Sequence, residues 1–399
     1  MKNVWVWALM VCLFSSACKR KVEKELPVAD TLSVVAEPVR PAEPPLMPGS
    51  VTLTEDDFGP LIELSGQQKV MDEDGPLFKL SGPEVLINGG CFLFQNRPSA
   101  RVSVQKRDGK LKAVEEKGER TFFHWYRLPD FRYMVSMGQQ GNGPDEFNFP
   151  HLVQSCGSAC GKAYLYETTT SKLYAADTTG ILKPLPVRFE TIKGSGYSNK
   201  QIVVAAPDTL YSVDNIRGGK ALFHTMLQGD STVTKQIYNL SFSKKHKGWA
   251  AYIGDFLMSP SGNRIVYAYK YFHKLVLMDK EAKVVRDISF EDPSVDAKDD
   301  QKTLGPDNVT YYWGASATDR YFFLVYSGRT PLQVSRENGK GDGYIFVEQY
   351  DWGGNPVARY KLDHWGKVFT DGKLFYLLCY MYDDPLFLYA LPEDKSDTR

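Results

Sequence analysis

The stretch GQQGNGPDEFNFP, residues 138–150, separates two strand-rich segments of the chain. Residues 131–137 before it, FRYMVSM, alternate apolar and polar side chains, as a half-buried strand does. The glycines permit backbone angles that residues with a Cβ avoid, and Pro144 fixes one φ angle. Phe147 and Phe149 are expected to turn their rings into a core. No Lys-Ser or Lys-Thr pair follows, which argues against a phosphate-binding loop. We therefore predict a junction between two strand-rich units.

Two strand-like runs joined by a polar turn recur about six times after residue 51, at a spacing near fifty residues. The first run of each repeat lies at 85–94, 162–166, 208–214, 259–268, 319–326 and 371–379, and the second at 101–105, 172–180, 220–224, 274–279, 344–351 and 386–391. Such a period is typical of β-propellers, because each hairpin has an apolar face that only a neighbouring hairpin can bury. The predicted fold is all-β, a six-bladed β-propeller with four-stranded antiparallel blades. The alternative architecture is a pair of β-sandwiches.

A propeller must also close its ring. The last repeat, 366–392, is short of strands, whereas strand-like segments at 60–64 and 76–80 precede the first full repeat. We expect one of these N-terminal segments to form the outer strand of the last blade, because this removes an open edge that invites mispairing.

The junction also resembles a known family. Its pattern G-x-G-P-x-E-F-x-x-P is similar to the blade junction of TolB-like six-bladed β-propeller lipoproteins of the Bacteroidetes, and related junctions occur in NHL-type propellers. The matching residues are Gly141, Gly143, Pro144, Glu146, Phe147 and Pro150. Asp145 departs from the pattern, since the family usually has Gly there. The resemblance implies the fold and the blade count, and it implies nothing about chemistry.

The N-terminal segment has the features of an export signal. A positive start is followed by the apolar run VWVWALMVCLF at 4–14, by small residues at 15–17 and by Cys18. The apolar run is too short to span a bilayer as a helix. The arrangement resembles a loose lipobox, with Ser15 where Leu is usual, so Cys18 is predicted to carry a lipid. The alternative is a plain secretory signal. The predicted organisation is a signal peptide at 1–17, a lipidated Cys and Pro-rich tether at 18–50, and the propeller at 51–395.

The charges near Cys18 bear on location. Surface-exported Bacteroidetes lipoproteins tend to be acidic after the cysteine, whereas here Lys19, Arg20 and Lys21 follow it. This favours an outer-membrane lipoprotein that faces the periplasm over one on the cell surface. Lys+Arg and Asp+Glu both number 48, which gives no argument for a nucleic-acid partner. We predict a monomer held to the membrane through its N-terminal lipid.

Two cysteines and an acidic run are candidates for special chemistry. Cys156 and Cys160 are close enough in sequence for a small-loop disulfide in an oxidising compartment. A redox-active pair would need a strand-to-helix context that is missing here, and zinc would need two more ligands, of which His151 supplies at most one. The run EDPSVDAKDD at 291–300 has carboxylates that suit calcium but lacks the spacing of a calcium loop, so a solvated loop is predicted.

No catalytic constellation is visible in the sequence. The six histidines show no zinc-hydrolase spacing, and no Gly-x-Ser-x-Gly elbow occurs. Tyr312, Trp313 and His151 are candidates for a binding face at the blade loops, where carbohydrate or peptide stacks on aromatic rings, although core packing is the alternative. The sequence favours a non-enzymatic binding or scaffold module for a protein or glycan partner, without a cofactor. The alternative, a metal-dependent lactonase- or lyase-like propeller enzyme, rests on fold analogy and has no assigned residues.

Overall fold

The computed structural model describes residues 42–45, 48–72, 84–96, 101–107, 110–116, 120–143, 145–157, 161–187, 189, 200–229, 231–291, 307–379 and 381–392. Within these residues the fold is all-β, with one α-helix and two short 3-10 helices. The predicted signal peptide, Cys18, most of the tether, the segment 76–80 and the acidic run after Glu291 lie outside the described residues.

The strands are defined here in chain order. They are β1 (Gly49–Leu53), β2 (Ile62–Leu64), β3 (Gln67–Gln68), β4 (Glu84–Asn88), β5 (Cys91–Gln95), β6 (Arg101–Arg107), β7 (Lys110–Glu116), β8 (Thr121–Arg127), β9 (Arg132–Gln139), β10 (Pro150–Ser155), β11 (Lys162–Glu167), β12 (Lys172–Asp177), β13 (Leu182–Pro184), β14 (Gln201–Ala206), β15 (Thr209–Ile216), β16 (Gly219–Gln228), β17 (Ser231–Asn239), β18 (Gly254–Met258), β19 (Arg264–Tyr269), β20 (Lys274–Asp279), β21 (Val284–Phe290), β22 (Thr310–Ala317), β23 (Tyr321–Arg329), β24 (Ile345–Asp351), β25 (Pro356–Leu362), β26 (Lys367–Thr370), β27 (Leu374–Leu378) and β28 (Leu386–Ala390). The helix α1 is Pro331–Lys340, and the 3-10 helices are Glu55–Phe58 and Trp249–Tyr252.

The strands form six antiparallel sets that follow one another along the chain. The sets are, from first to sixth, β4-β5-β8-β9, β10-β11-β12-β13, β14-β15-β16-β17, β18-β19-β20-β21, β22-β23-β24-β25 and β26-β27-β28-β3. A short parallel pairing of β10 with β14, through Gln154↔Val203 and Ser155↔Val204, joins the second and third sets into one eight-stranded sheet. Four antiparallel strands per unit agree with the prediction from the repeats.

The N-terminal strands are added to the last three sets. β1 lies parallel to β21 in the fourth set, β2 lies parallel to β25 in the fifth, and β3 lies antiparallel to β28 in the sixth. The expectation that an N-terminal strand completes the last set is confirmed. The strand is Gln67–Gln68 and not 60–64, since Ile62–Leu64 covers the edge of the fifth set, and the other predicted segment, 76–80, lies outside the described residues.

The pairing predicted for the first repeat is also wrong. β5 pairs with β8, for example Phe92 with Tyr126, whereas β6 and β7 form a separate two-stranded sheet. The sequence of β8, TFFHWYR, carries large apolar side chains on both faces of the strand, and the sequence of β6, RVSVQKR, does not. A strand in the middle of a packed sheet must bury both of its faces, which favours β8.

Successive sets pack on one another in a closed circle. The first strands of the sets are in contact in the order β4, β10, β14, β18, β22, β26 and back to β4. Six apolar clusters lie between neighbouring sets. The cluster between the sixth and first sets joins Phe92 and Phe131 to Tyr376 and Leu386, so the last set along the chain shares a core with the first.

The predicted junction lies between β9 and β10, as expected. Phe147 is fully buried and its ring meets those of Phe123 and Tyr174. The backbone N–H of Gly143 donates to Glu146 Oε2 at 2.7 Å, and a Cβ at Gly141 would lie 1.9 Å from the same oxygen. Pro144 lies outside the described residues. The expectation that Phe149 is buried is wrong, since Phe149 is 63% exposed.

Helix α1 lies between β23 and β24, where no helix is predicted from the sequence. Thr330 caps its first turn in a capping box with Gln333, Pro331 occupies the first turn, and Gly341 ends it in the left-handed region at φ 82°. These are standard start and stop signals for a helix. The helix has only ten residues, so it is too short to show a long helical periodicity of apolar residues in the sequence.

Candidate functional site

The first strands of the six sets begin at one end of the circle, which we call the start end. Glu84, the first residue of β4, contacts His151 in β10, and the Gln201 side chain, at the start of β14, donates to the Gly254 carbonyl at the start of β18 at 2.7 Å. Lys367, the first residue of β26, acts electrostatically on Glu84. Polar residues at the beginnings of distant strands therefore meet at the start end.

Charged side chains converge there in an inner charge cluster, formed by Glu84, His151, Asp255, Lys270 and Lys367. His151 Nδ1 lies 2.9 Å from Glu84 Oε1, and the Leu152 backbone N–H donates to Glu84 Oε2 at 2.7 Å. Burial alone would raise the pKa of Glu84, but the hydrogen bond and charge of His151, together with Lys367, hold this pKa below its ordinary value.

The other half of the cluster comes from the fourth and sixth sets. Burial raises the pKa of Asp255 to about 6, although the charges of Lys270 and Lys367 oppose the rise. Burial lowers the pKa of Lys270, and Asp255 opposes that change. The cluster thus combines two carboxylates, an imidazole and two ammonium groups, and one of the carboxyls, Asp255, has its pKa raised to about 6. Such a set suits proton exchange or the binding of a charged group.

A cavity of about 520 Å³ opens between the fifth and sixth sets at the same end. We call it the Trp cavity. Its lining residues are Thr310, Trp313, Ser327, Arg329, Pro331, Val334, Ser335, Asn338, Gly339, Trp365 and Met381. Helix α1 contributes the residues from Pro331 to Gly339, and Trp313 belongs to the first strand of the fifth set. The volume falls in the range of small-molecule sites, and the lining is mostly apolar, as in such sites.

Arg329 lines the Trp cavity and is 8% exposed. Its guanidinium forms an ion pair with Glu337 of α1, and its Nη2 donates to the Tyr344 carbonyl at 2.6 Å. It also lies over the Tyr344 ring at 3.8 Å and the Trp365 ring at 5.4 Å. The positive charge of Arg329 is therefore compensated within the protein, and its role is to hold α1 and Trp365 in place.

Two polar atoms of the cavity lining have no hydrogen-bond partner. They are Trp313 Nε1 and Ser327 Oγ, and both atoms are buried. Ser327 as a whole is 3% exposed. Buried polar groups are nearly always hydrogen-bonded, since leaving one unpaired is costly. Both atoms belong to side chains that line the same cavity.

The three residues predicted for a binding face lie in three different environments. Trp313 lines the Trp cavity. His151 lines a second cavity of about 200 Å³ at the start end, together with Phe149 and Gln95. Tyr312 does not belong to a binding face, because it is fully buried and its hydroxyl donates to Glu348 Oε2 at 3.4 Å. The ring of Tyr312 packs in the core between the fourth and fifth sets, which the sequence named as the alternative.

Cysteine and metal chemistry remain as predictions. The Sγ of Cys156 donates to the Ser259 carbonyl at 3.2 Å, and Cys160 lies outside the described residues, so the disulfide stays a prediction. In the described part of the chain, no group of three or more His, Cys, Asp or Glu side chains is placed to hold a metal ion. Across the same residues, no helix combines the length and the apolar character needed to cross a bilayer.

Sequence reasoning missed most of the residues that form the site. Glu84 and Lys367 directly precede apolar runs, and Asp255 is the second residue of its strand. Aligning the repeats and comparing the first polar residue of each would have selected all three. Ser327 and Arg329 end the second strand of the fifth set and carry no comparable signal, because their role depends on α1 folding over them.

No family model matches this chain, and no curated protein matches it. Solved structures are similar in fold. A member of the DUF4221 family from Bacteroides vulgatus has a TM-score of 0.47 at 11% identity, over 78% of this chain and 98% of that one. A calcium-binding protein, regucalcin, from Agrobacterium tumefaciens has a TM-score of 0.42 at 15% identity, over 82% of this chain and 95% of that one. The Swd1 β-propeller domain from Myceliophteria thermophila has a TM-score of 0.41 at 7% identity, over 82% of this chain and 100% of that one. Likenesses at this level carry no inference about the chemistry of this protein, and the resemblance to TolB-like lipoproteins stays a prediction.

Proposed function

We propose that this protein is a six-bladed β-propeller, lipid-anchored through Cys18 in the outer membrane, that binds a protein or glycan partner at its start end. The observation that carries the binding role is the Trp cavity, with two buried and unpartnered polar atoms in its lining. The six strand sets and the closed circle of first strands support the blade count. The proposed role is non-enzymatic, and the propeller spans about residues 49–392.

The described residues before β1 contact the fourth set. Glu43 accepts a hydrogen bond from the Ser261 hydroxyl and lies 3.6 Å from Arg264 Nε. Ser261 lies in the turn between β18 and β19, where the first strand of the fourth set ends. Glu43 therefore packs at the end opposite the start end, away from the Trp cavity.

Anchoring and binding are tested separately. For the anchor, Cys18→Ala is expected to move the protein from the membrane fraction to the soluble envelope fraction, and a variant that stays in the membrane fraction would refute the lipid.

For the binding role, a photo-crosslinking residue is placed at Met381, a rim residue of the Trp cavity that is 60% exposed. The matched control is Val357, which is 42% exposed and lies near the start of β25, at the opposite end. In native envelopes we expect a discrete adduct from the first position and none from the second. Equal labelling at both positions, or none at Met381, would contradict binding at the start end.

A further inference from the structure

The Trp cavity also constrains the chemistry of what enters it, and this inference rests on the proposed binding role. Its wall is formed largely by rings and apolar side chains, with Trp313 and Trp365 at 5.9 Å between ring centroids. Val334 of α1, which is 7% exposed, also lines the cavity, and the exposed Met381 lies at its rim. A flat apolar group gains most from such a wall, because rings stack or meet edge to face.

The charges around the cavity argue for a neutral occupant. Among the described residues that line it, Arg329 alone is charged, and its guanidinium is already paired with Glu337 and hydrogen-bonded to the Tyr344 carbonyl. Lys270 Nζ lies 4.7 Å from the Trp313 ring, but Asp255 compensates its charge. An anion entering the cavity would lose its hydration without gaining an unpaired cation, which is unfavourable.

The two unpartnered atoms add a specific polar requirement. Trp313 Nε1 is a donor only, so it requires an acceptor from the occupant. Ser327 Oγ donates or accepts. These two buried atoms can therefore pair with one acceptor and one further polar group of an occupant. A sugar carries hydroxyl groups around its whole ring, which is more than these two atoms can pair with.

We propose that the Trp cavity takes a neutral aromatic side chain together with the peptide carbonyl beside it, presented by a protein partner. The ring lies against Trp313 and Trp365, the carbonyl accepts from Trp313 Nε1, and the neighbouring amide engages Ser327 Oγ. Of the two partner classes, this selects protein over glycan.

The proposal is tested with three small probes on the full chain in detergent, by ligand-observed NMR titration. The probes are N-acetylphenylalaninamide, which is neutral, N-acetylphenylalanine, which carries a carboxylate on the same framework, and N-acetylglucosamine. We expect the amide to bind about tenfold more tightly than the carboxylate, and the sugar not to bind, because unpaired polar groups are rejected from such sites.

Matched variants locate the binding. Ser327→Ala removes the unpartnered hydroxyl, and Trp313→Phe removes Nε1 but keeps a ring; each is expected to weaken binding of the amide severalfold, while Ser327→Ala leaves the melting temperature unchanged or higher. The control is Ser155→Ala, because Ser155 Oγ is also buried and unpartnered but lies at the end of β10, away from the cavity. It should leave the affinity for the amide unchanged.

The outcomes separate this inference from the proposed function. Binding of the sugar or the carboxylate as tightly as the amide, or loss of affinity in Ser155→Ala equal to that in Ser327→Ala, would overturn the ligand class. The absence of binding by any probe would overturn it as well. The proposed binding role fails if crosslinking at Met381 gives no adduct, or no more adduct than at Val357. A Met381-specific adduct combined with no amide binding would therefore leave a start-end binding protein of different chemistry.

Discussion

At the residue scale, the junction between the first and second sets depends on two glycines and one carboxylate. Gly141 and Gly143 leave room for the Glu146 side chain to fold back and accept from the Gly143 N–H at 2.7 Å. This loop places Phe147 in the core between the two sets. The glycines are needed for space around a carboxylate, which is a more specific reason than chain flexibility.

The first prediction concerns this loop. In Gly141→Ala the new Cβ would lie 1.9 Å from Glu146 Oε2, so the carboxylate must move and give up its hydrogen bond. We expect a loss of about 1–2 kcal/mol in the free energy of unfolding. Glu146→Ala should lose a similar amount, and the double variant should lose little more than either, since both remove one interaction. Urea unfolding measures all three.

The control for this prediction is Gly339→Ala in helix α1, where the added Cβ meets nothing within 4 Å. Because Ala is the better helix former, this change should stabilise by about 0.5–1 kcal/mol. Additive losses in the double variant, or no loss in Gly141→Ala, would contradict the account of the loop.

The second prediction concerns Glu348, a carboxyl that is 2% exposed and accepts from the Tyr350 hydroxyl at 2.8 Å. Burial raises its pKa to about 7 from an ordinary 4.5, while Arg359 opposes the rise. Because the folded state holds this proton more tightly than the unfolded chain, the free energy of unfolding falls as pH rises from about 4.5 to about 7. The shift corresponds to roughly 3 kcal/mol over that interval.

Glu348→Gln keeps an acceptor oxygen and removes the titrating group. We expect urea unfolding between about pH 5 and about pH 8 to show a shallower decline in stability than in the natural chain. Asp255 contributes a decline of its own in both proteins, since its pKa is raised to about 6. The control is Glu63→Gln, whose side chain is 69% exposed, and it should keep the natural slope. An unchanged slope in Glu348→Gln would refute the assignment.

At the element scale, the short strands β1, β2 and β3 cover the outer edges of the fourth, fifth and sixth sets. The segment that carries them is only about twenty residues long, yet it bridges three sets. Uncovered edge strands are prone to mispairing, so this segment protects the edges of the three C-terminal sets from pairing with other strands.

The third prediction follows from that arrangement. A chain lacking residues 1–48 keeps all three strands and should melt as a cooperative unit close to the natural protein. A chain lacking residues 1–69 exposes β21, β25 and β28 and should fail to give a soluble folded protein. Circular dichroism melting and size-exclusion chromatography compare the two. Equal melting of both truncated chains would contradict a structural role for these strands.

At the scale of the whole molecule, each set shares an apolar cluster with the set before it and the set after it. The cluster of Phe92, Phe131 and Tyr376 joins the last set to the first. In such a closed arrangement, no set has a free face from which unfolding can begin. The molecule should therefore unfold as one unit.

The fourth prediction tests this closure. Phe92 is fully buried, so Phe92→Ala should lower the free energy of unfolding by about 3–5 kcal/mol. Calorimetry should still show one transition, with the calorimetric and van't Hoff enthalpies equal. Phe149→Ala, at a ring that is 63% exposed, is the control and should have little effect. Two separate transitions in the natural chain would show that the sets unfold independently.

The strand content, the repeats and the junction can be predicted from the sequence, because strand periodicity and turn residues are local signals. The pairing of β5 with β8 and the place of Gln67–Gln68 in the sixth set cannot, since partner choice depends on which faces must be buried. The site likewise depends on tertiary packing. Period two places Tyr312 and Trp313 on a strand, but packing decides that one is core and the other lines a cavity. Glu84 and Lys367 meet only because the circle closes, and a closed circle is a property of all six sets together.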